Sequence, residues 1–180
     1  MLLAISDVVA EPQARQLLQM LFEEFGVPKA YIASRAQLAV YASGRTTALA
    51  IYMTGDGGNI VPVIDGNVMY AGVASLSGVC RLPKCIADAI TRTGANLQRL
   101  LKTGADFQQL WGNIVLTGPG SMTRGGADEL ASELRSGAPK GTTVKVVARP
   151  EREAPDWIGG SILASLSTFA PKWITRRQFE

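Results

Sequence analysis

The chain has 180 residues, a net charge of +3, 47% hydrophobic and 18% charged residues, and no histidine. This composition predicts a folded globular chain of about one domain, and it excludes zinc sites and catalytic triads that need histidine. No apolar run approaches the ~20 residues that span a bilayer, and the scattered basic residues do not indicate nucleic-acid binding. Cys80 and Cys85 are the only cysteines, and we expect two free thiols in a reducing compartment.

The first 45 residues are predicted to alternate between strands and helices. A proline in the first turn favours the start of the first helix, and a glycine favours its end. The resulting β-α-β-α piece is too small to close a core alone. Its predicted elements are a strand at Leu2–Ser6, a helix from Glu11 to Gly26, a strand at Pro28–Ala33 and a helix at Arg35–Ser43.

The rest of the chain is predicted to begin with three strands joined by the tight turns Gly55-Asp56-Gly57-Gly58 and Asp65-Gly66, since Asp-Gly pairs accept positive φ. Pro62 lies within the second strand, which predicts an edge or a bulge there. The predicted elements are strands at Thr46–Met53, Asn59–Ile64 and Asn67–Ala71, a helix at Pro83–Lys102, a strand at Asn113–Thr117, a helix at Gly126–Leu134, a strand at Thr143–Ala148 and a helix from Trp157.

This order, β-β-β-α-β-α-β-α, predicts an α/β fold with a ribonuclease-H-like mixed sheet that is flanked by helices. A partial N-terminal β-α-β piece is added to it. We expect a boundary between residues 1–45 and residues 46–180.

The last predicted helix, Trp157–Phe169, combines large apolar residues with small ones. Large residues recur at steps of three and four, which places them on one face of a helix. The remaining small residues would let the helix lie close against another backbone. The simplest reading is a core helix packed on a sheet. The large residues are Trp157, Ile158, Ile162, Leu166 and Phe169, and the small ones are Gly159, Gly160, Ser161, Ala164 and Ser165.

Four blocks of the sequence resemble actin and the actin-related proteins, and the match with Trp157–Phe169 is the closest. The resemblance implies the actin-type ATPase fold. Residues 1–45 would be a remnant of the first actin half with its linker helix, and residues 46–180 would be the second half without its outer-lobe insertion. The matching blocks are Leu2 to Pro28, Tyr41-Ala-Ser-Gly-Arg-Thr-Thr47, Gly55-Asp56-Gly57 with Val61-Pro62, and Asn113 to Gly118 with Pro150-Glu151-Arg152 and Trp157–Phe169.

The resemblance also implies ATP and Mg²⁺ held between two glycine-rich turns, one from each half. Such turns bind phosphate through backbone N–H groups. Here only the second turn is present, and the residues left to hold a nucleotide would be Gly55, Asp56, Gly57 and Gly118.

Five features depart from the family pattern at this one site, and we therefore expect no enzymatic activity, no cofactor and no metal. An arginine, for example, has no acceptor with which to position an attacking water. The departures are the missing first phosphate loop, Tyr52-Met53-Thr54 where the family has a second aspartate, Arg35 for the catalytic glutamine, Gly118-Pro119-Gly120 for a Gly-Gly turn, and Glu153 for a basic residue near the adenine.

Actin regulators insert a helix into an apolar cleft, and the resemblance places that cleft here as well. Such grooves bind amphipathic helices through apolar anchors. The same residues are equally suited to packing the linker helix against the C-terminal helix, and both readings remain open. The matching positions are Tyr41, Gly44, Thr46, Leu163, Leu166 and Thr168, with Lys172 where the family has an apolar residue.

These observations predict a non-catalytic, actin-like structural subunit that docks a partner protein in the cytoplasm, associated with the cytoskeleton. Candidate partners are conventional actin, another actin-related protein, a filament end, or a larger cytoskeletal or ciliary complex. Partly uncovered apolar faces on Leu2–Ser6 and Leu17–Phe25 predict that the chain needs a partner. The alternative is a half-actin switch that binds ATP with Mg²⁺ together with another chain. A third reading is a truncated or decayed actin gene product.

Overall fold

The computed structural model describes residues 1–6, 11–77, 82–101 and 107–179. Short 3-10 helices at Tyr70–Gly72, Phe107–Leu110, Pro119–Met122 and Ser167–Lys172 accompany the main elements. These are β1 Leu2–Ile5, α1 Glu11–Glu23, β2 Lys29–Ser34, α2 Arg35–Ala42, β3 Ala48–Met53, β4 Gly57–Ile64, β5 Asn67–Val68, β6 Ala74–Ser77, α3 Leu82–Leu101, β7 Ile114–Thr117, α4 Gly126–Gly137, β8 Val146–Val147, α5 Pro155–Ser165, β9 Ile174–Thr175 and α6 Arg176–Phe179.

The larger sheet has the order β5-β4-β3-β7-β8, and β6 also pairs with β4. β3 is antiparallel to β4 and parallel to β7, and β7 is parallel to β8. An antiparallel meander that continues into parallel strands is the predicted ribonuclease-H-like arrangement. The predicted α/β class, with mixed sheets flanked by helices, is confirmed.

Helices cover both faces of the larger sheet, and the alternation of side chains along β3 explains how. Leu49 and Ile51 point into a core shared with α3 and α4, whereas Ala48 and Ala50 face α2 in a second core. Successive residues of a strand point to opposite faces. The small alanines therefore lie under α2, and the larger residues fill the space under α3 and α4.

The smaller sheet joins the two ends of the chain. β1 runs parallel to β2, and β2 pairs antiparallel with β9. The rings of Phe22 in α1 and Phe179 in α6 pack 5.4 Å apart beside it. Residues from the predicted second unit thus take part in the sheet of the first, and the boundary at residue 45 stays a prediction.

Two details of the larger sheet differ from the sequence prediction. The first is β6, which the sequence did not predict. Its pairing with β4 is a non-local contact that a local pattern does not reveal. The second is Pro62, which lies in a strand with neighbours on both sides rather than in an edge strand. Its carbonyl accepts the Met69 N–H at 2.8 Å, so its peptide groups point away from β3. These peptide groups face the gap between β5 and β6, which pair with β4 on either side of Pro62. The N–H that proline lacks would therefore have had no partner in a neighbouring strand.

The expectation of free thiols is wrong for Cys85, which is buried in the α3 core and disulfide-bonded. Cys80 lies outside the described residues.

The helix α5 packs on α2 through its glycines and Leu163 rather than through the large residues of the predicted apolar face. Gly159, Gly160 and Leu163 are buried, whereas Trp157 is 83% exposed. A Cβ on Gly159 would meet the Leu38 carbonyl of α2, so only glycine permits this approach. The expected close backbone contact is present. Phe169 is also buried, but it belongs to the 3-10 helix that follows α5.

Replacing Gly159 with alanine tests this contact. In Gly159→Ala the added Cβ must push α5 away from α2, and we expect a loss of about 1–3 kcal/mol of unfolding free energy. Urea unfolding followed by circular dichroism measures it. The matched control is Gly137→Ala at the end of α4, where a Cβ would meet nothing within 4 Å. A Gly159→Ala variant as stable as this control would contradict the analysis.

Candidate functional site

The turn that carries Gly55, Asp56 and Gly57 and the turn that carries Gly118 lie side by side. They follow β3 and β7, which are parallel neighbours, so both turns project from the same edge of the sheet. A Cβ on Gly118 would meet the Met53 carbonyl, and one on Gly120 would meet the Thr54 carbonyl. The structure therefore brings Gly118 next to the turn of Gly55, Asp56 and Gly57.

Several polar groups of these turns are engaged within the chain. The Gly118 N–H donates to the Arg152 carbonyl at 2.7 Å, and its carbonyl accepts from the Ser121 hydroxyl at 2.6 Å. The Thr54 hydroxyl lies 2.8 Å from a carboxylate oxygen of Asp56 and 3.0 Å from the Gly57 carbonyl oxygen. Gly118 thus presents no free N–H to a phosphate.

Arg35, which the resemblance places at the position of the family's catalytic glutamine, links three elements. Its Nε donates to Asp156 Oδ2 in α5 at 2.6 Å. Its guanidinium carbon lies 4.0 Å from the centroid of the Tyr52 ring in β3. Burial lowers the pKa of Arg35, but hydrogen bonds and charge interactions with Asp156 and Tyr52 outweigh burial, so the pKa is raised. The side chain is a fixed cation that joins α2, β3 and α5.

Asp156 depends on this one partner. Its second carboxylate oxygen, Oδ1, is buried and has no hydrogen-bond partner. An unpaired buried acceptor costs about 1–3 kcal/mol. Loss of Arg35 would leave both oxygens of the carboxylate without a donor.

Two features of these residues bear on the binding of Mg²⁺-ATP. Mg²⁺ needs oxygen ligands in a near-octahedral arrangement, and the described residues contain no group of three acidic, histidine or cysteine side chains that could hold a metal. The Gly118 N–H is engaged, and the Arg35 cation is bound to Asp156.

The six residues of the predicted partner cleft fall into two groups. Tyr41 and Leu163 belong to an apolar cluster with Leu38 and Phe169, between α2, α5 and the smaller sheet. The other four residues, Gly44, Thr46, Leu166 and Thr168, are exposed. Both readings of these residues therefore have support: two pack the helices together, and four lie at the surface.

Tyr41 is held in place by the turn between β4 and β5. A Cβ on Gly66 would meet the Tyr41 hydroxyl, and Gln37 donates to the Gly66 carbonyl at 2.6 Å. Burial raises the pKa of Tyr31, and Tyr41 adds to the shift. The two tyrosines are therefore close neighbours at one end of the cluster.

A cavity of about 290 Å³ that the sequence did not predict lies between α2, α5 and the strands β7 and β8. None of the six predicted cleft residues lines it. The only sequence signal was the charged run after β8, at residues 149–152. The lining residues are Ala39, Ala42, Ser43, Val115, Leu116, Thr117, Val147, Arg149, Glu151, Arg152, Pro155 and Ile158.

A protein-family model described as Actin matches residues 1–98 and 77–180 of the chain. The chain belongs to the actin family. It is similar to an actin-like protein of Neurospora crassa, with 41% identity over 90 residues. The match covers 50% of this chain and 21% of the relative's length.

Membership of the actin family confirms the predicted resemblance. The fold of this actin-family chain keeps the two turns together at one edge of the sheet. Arg35, Met53 and Pro119, which the resemblance marks as departures from the family pattern, lie at or near that edge. No helix of the described residues is both long enough and apolar enough to cross a bilayer.

A double-mutant cycle tests the link between Arg35 and Asp156. We expect Arg35→Gln and Asp156→Asn each to lower the unfolding free energy by about 1–3 kcal/mol, because each leaves a partly buried polar group unpaired. The expected coupling energy is about 1 kcal/mol. Urea unfolding of the wild type, both single variants and the double variant measures it. Additive effects would show that the pair does not join the helices.

Proposed function

We propose that this actin-family chain is a non-catalytic structural subunit that docks a partner protein within a cytoskeletal or larger multiprotein complex. The observation that carries the proposal is the Arg35–Asp156 pair at the position of the family's catalytic glutamine. Guanidinium has no acceptor for a water proton, and this cation is already bound to a carboxylate. The engaged Gly118 N–H supports the same conclusion.

The end of α5 supports the docking part of the proposal. Ile162 and Leu166, which lie one turn apart, are 41% and 48% exposed. They adjoin Leu163, which packs in the cluster with Tyr41 and Phe169. Exposed apolar residues beside a buried apolar cluster are typical of interaction sites. Apolar grooves of this kind bind amphipathic helices. The proposed partners are actin, another actin-related protein or a larger assembly, in the cytoplasm at the cytoskeleton.

A charge placed in the docking surface tests the proposal. We expect Leu166→Asp to abolish co-purification of the native partner with the tagged chain, because an apolar anchor is lost. Met122→Asp is the matched control, since Met122 is 43% exposed and lies in the 3-10 helix after β7. Quantitative mass spectrometry of both purifications provides the measurement. Equal recovery of partners with both variants, or a wild-type chain that stays a lone monomer at native concentration, would count against docking.

One observation favours the alternative of a nucleotide switch that works with another chain. The turn carrying Asp56 is exposed and lies against the Gly118 turn, so a second chain could complete the site from outside. Gly55, Asp56, Gly57 and Gly118 would then hold the phosphates of ATP with Mg²⁺.

Titration with fluorescent ATP and Mg²⁺ separates the two functions. We expect no saturable binding tighter than about 10 μM, which is about −7 kcal/mol, because the backbone donor of Gly118 is engaged. Asp56→Ala should behave as the wild type does. Tighter binding that Asp56→Ala removes would favour the switch.

A further inference from the structure

We infer that the cavity between α2, α5, β7 and β8 binds an amphipathic anion, with an apolar body inside and an anionic group at Arg149. This site is separate from the proposed docking surface and does not depend on it. At about 290 Å³, it lies at the lower end of the roughly 300–1,000 Å³ typical of ligand pockets.

The inner walls of the cavity are apolar. Ala39 and Ala42 of α2 face Val115 and Val147 of the sheet, and Ile158 of α5 closes another side. The small alanines leave the space that larger residues would fill. A flat or branched hydrocarbon group gains from burial against these walls, at roughly 25 cal/mol per Å² of apolar surface.

Two arginines, Arg149 and Arg152, line the cavity, and Arg45 shares a hydrogen-bond acceptor with Arg149. Arg45 and Arg149 both donate to the Ser43 carbonyl, at 2.9 and 3.2 Å. Arg152 donates to the Arg149 carbonyl at 2.9 Å and to the Ser121 carbonyl. None of the three forms an ion pair with a carboxylate of the described residues.

The charge at the mouth is therefore net positive, even though Glu151 also lines the cavity. Arg149 is exposed and uses one N–H in its bond to Ser43, whereas a guanidinium has five. Arginine binds carboxylates in a forked, two-bond geometry. An apolar site with this rim selects an anion with a hydrocarbon body over a neutral molecule of the same shape.

The chemistry is shared by a free aromatic acid and by a polypeptide with a large apolar residue beside an acidic one. Three probes distinguish the cases on the full chain by ¹⁵N NMR titration. They are 2-naphthoate, its neutral counterpart 2-naphthamide, and the capped dipeptide acetyl-Phe-Glu-amide. We expect 2-naphthoate to bind about tenfold more tightly than 2-naphthamide, as one charge-assisted contact predicts.

The variants locate the effect. Arg149→Gln should reduce 2-naphthoate to the affinity of 2-naphthamide, and Glu151→Gln should strengthen 2-naphthoate. Arg135→Gln is the matched control, because it removes the same charge from α4 on the opposite face of the sheet. Tighter binding of the dipeptide than of 2-naphthoate assigns the site to a polypeptide, and the reverse order assigns it to a free acid.

Equal affinity of 2-naphthoate and 2-naphthamide would overturn the proposal. So would unchanged 2-naphthoate binding in Arg149→Gln, or shifts confined to residues outside the cavity. Arg149 is exposed, so its replacement tests the site without disturbing the core.

Discussion

The close contact between α2 and α5 at Gly159 sets the geometry of the apolar cluster at Tyr41 and of the cavity beside Arg149. Glycine lets the backbone of α5 reach the carbonyl of Leu38, and Arg35 and Asp156 fasten the same two helices a short distance away. The cluster with Tyr41 and Leu163 and the cavity beside Arg149 are both built from residues of this pair. A change in the spacing of the two helices would alter the shape of both the cluster and the cavity.

The edge of the larger sheet carries polar groups that hydrogen-bond within the chain. The two glycine-rich turns still meet at the ends of parallel strands, where ligands of α/β sheets commonly bind. At that edge the backbone of Gly118 hydrogen-bonds to Arg152 and Ser121, and Arg35 binds Asp156. These bonds stabilise the chain itself.

Local patterns were sufficient to predict most of the fold. The Asp-Gly turns and the apolar runs predicted β3 and β4, and the order of elements predicted the mixed sheet. The failures depended on contacts between distant residues. Periodicity could not show that Trp157 faces solvent, since contacts with α2 determine which face of α5 is buried. The short strand β6 has little apolar signal and is defined by its pairing with β4.

The residues of the candidate site could be predicted from the sequence, but their hydrogen-bond partners could not. The family resemblance singled out Arg35 as a site residue. It did not indicate the partner Asp156, which lies 121 residues further along the chain. The engaged N–H of Gly118 and the cavity beside Arg149 follow from backbone paths that no sequence motif records. Charge, by contrast, was visible in the sequence, and the run at residues 149–152 marks the mouth of that cavity.

The pairing of β2 with β9 has a consequence for synthesis on the ribosome. Lys29 pairs with Thr175, so the smaller sheet lacks its third strand until the chain has been translated to that point and has left the exit tunnel. Joining such distant segments carries the entropy cost of closing a long loop. The smaller sheet is therefore completed only after every strand of the larger sheet has been translated.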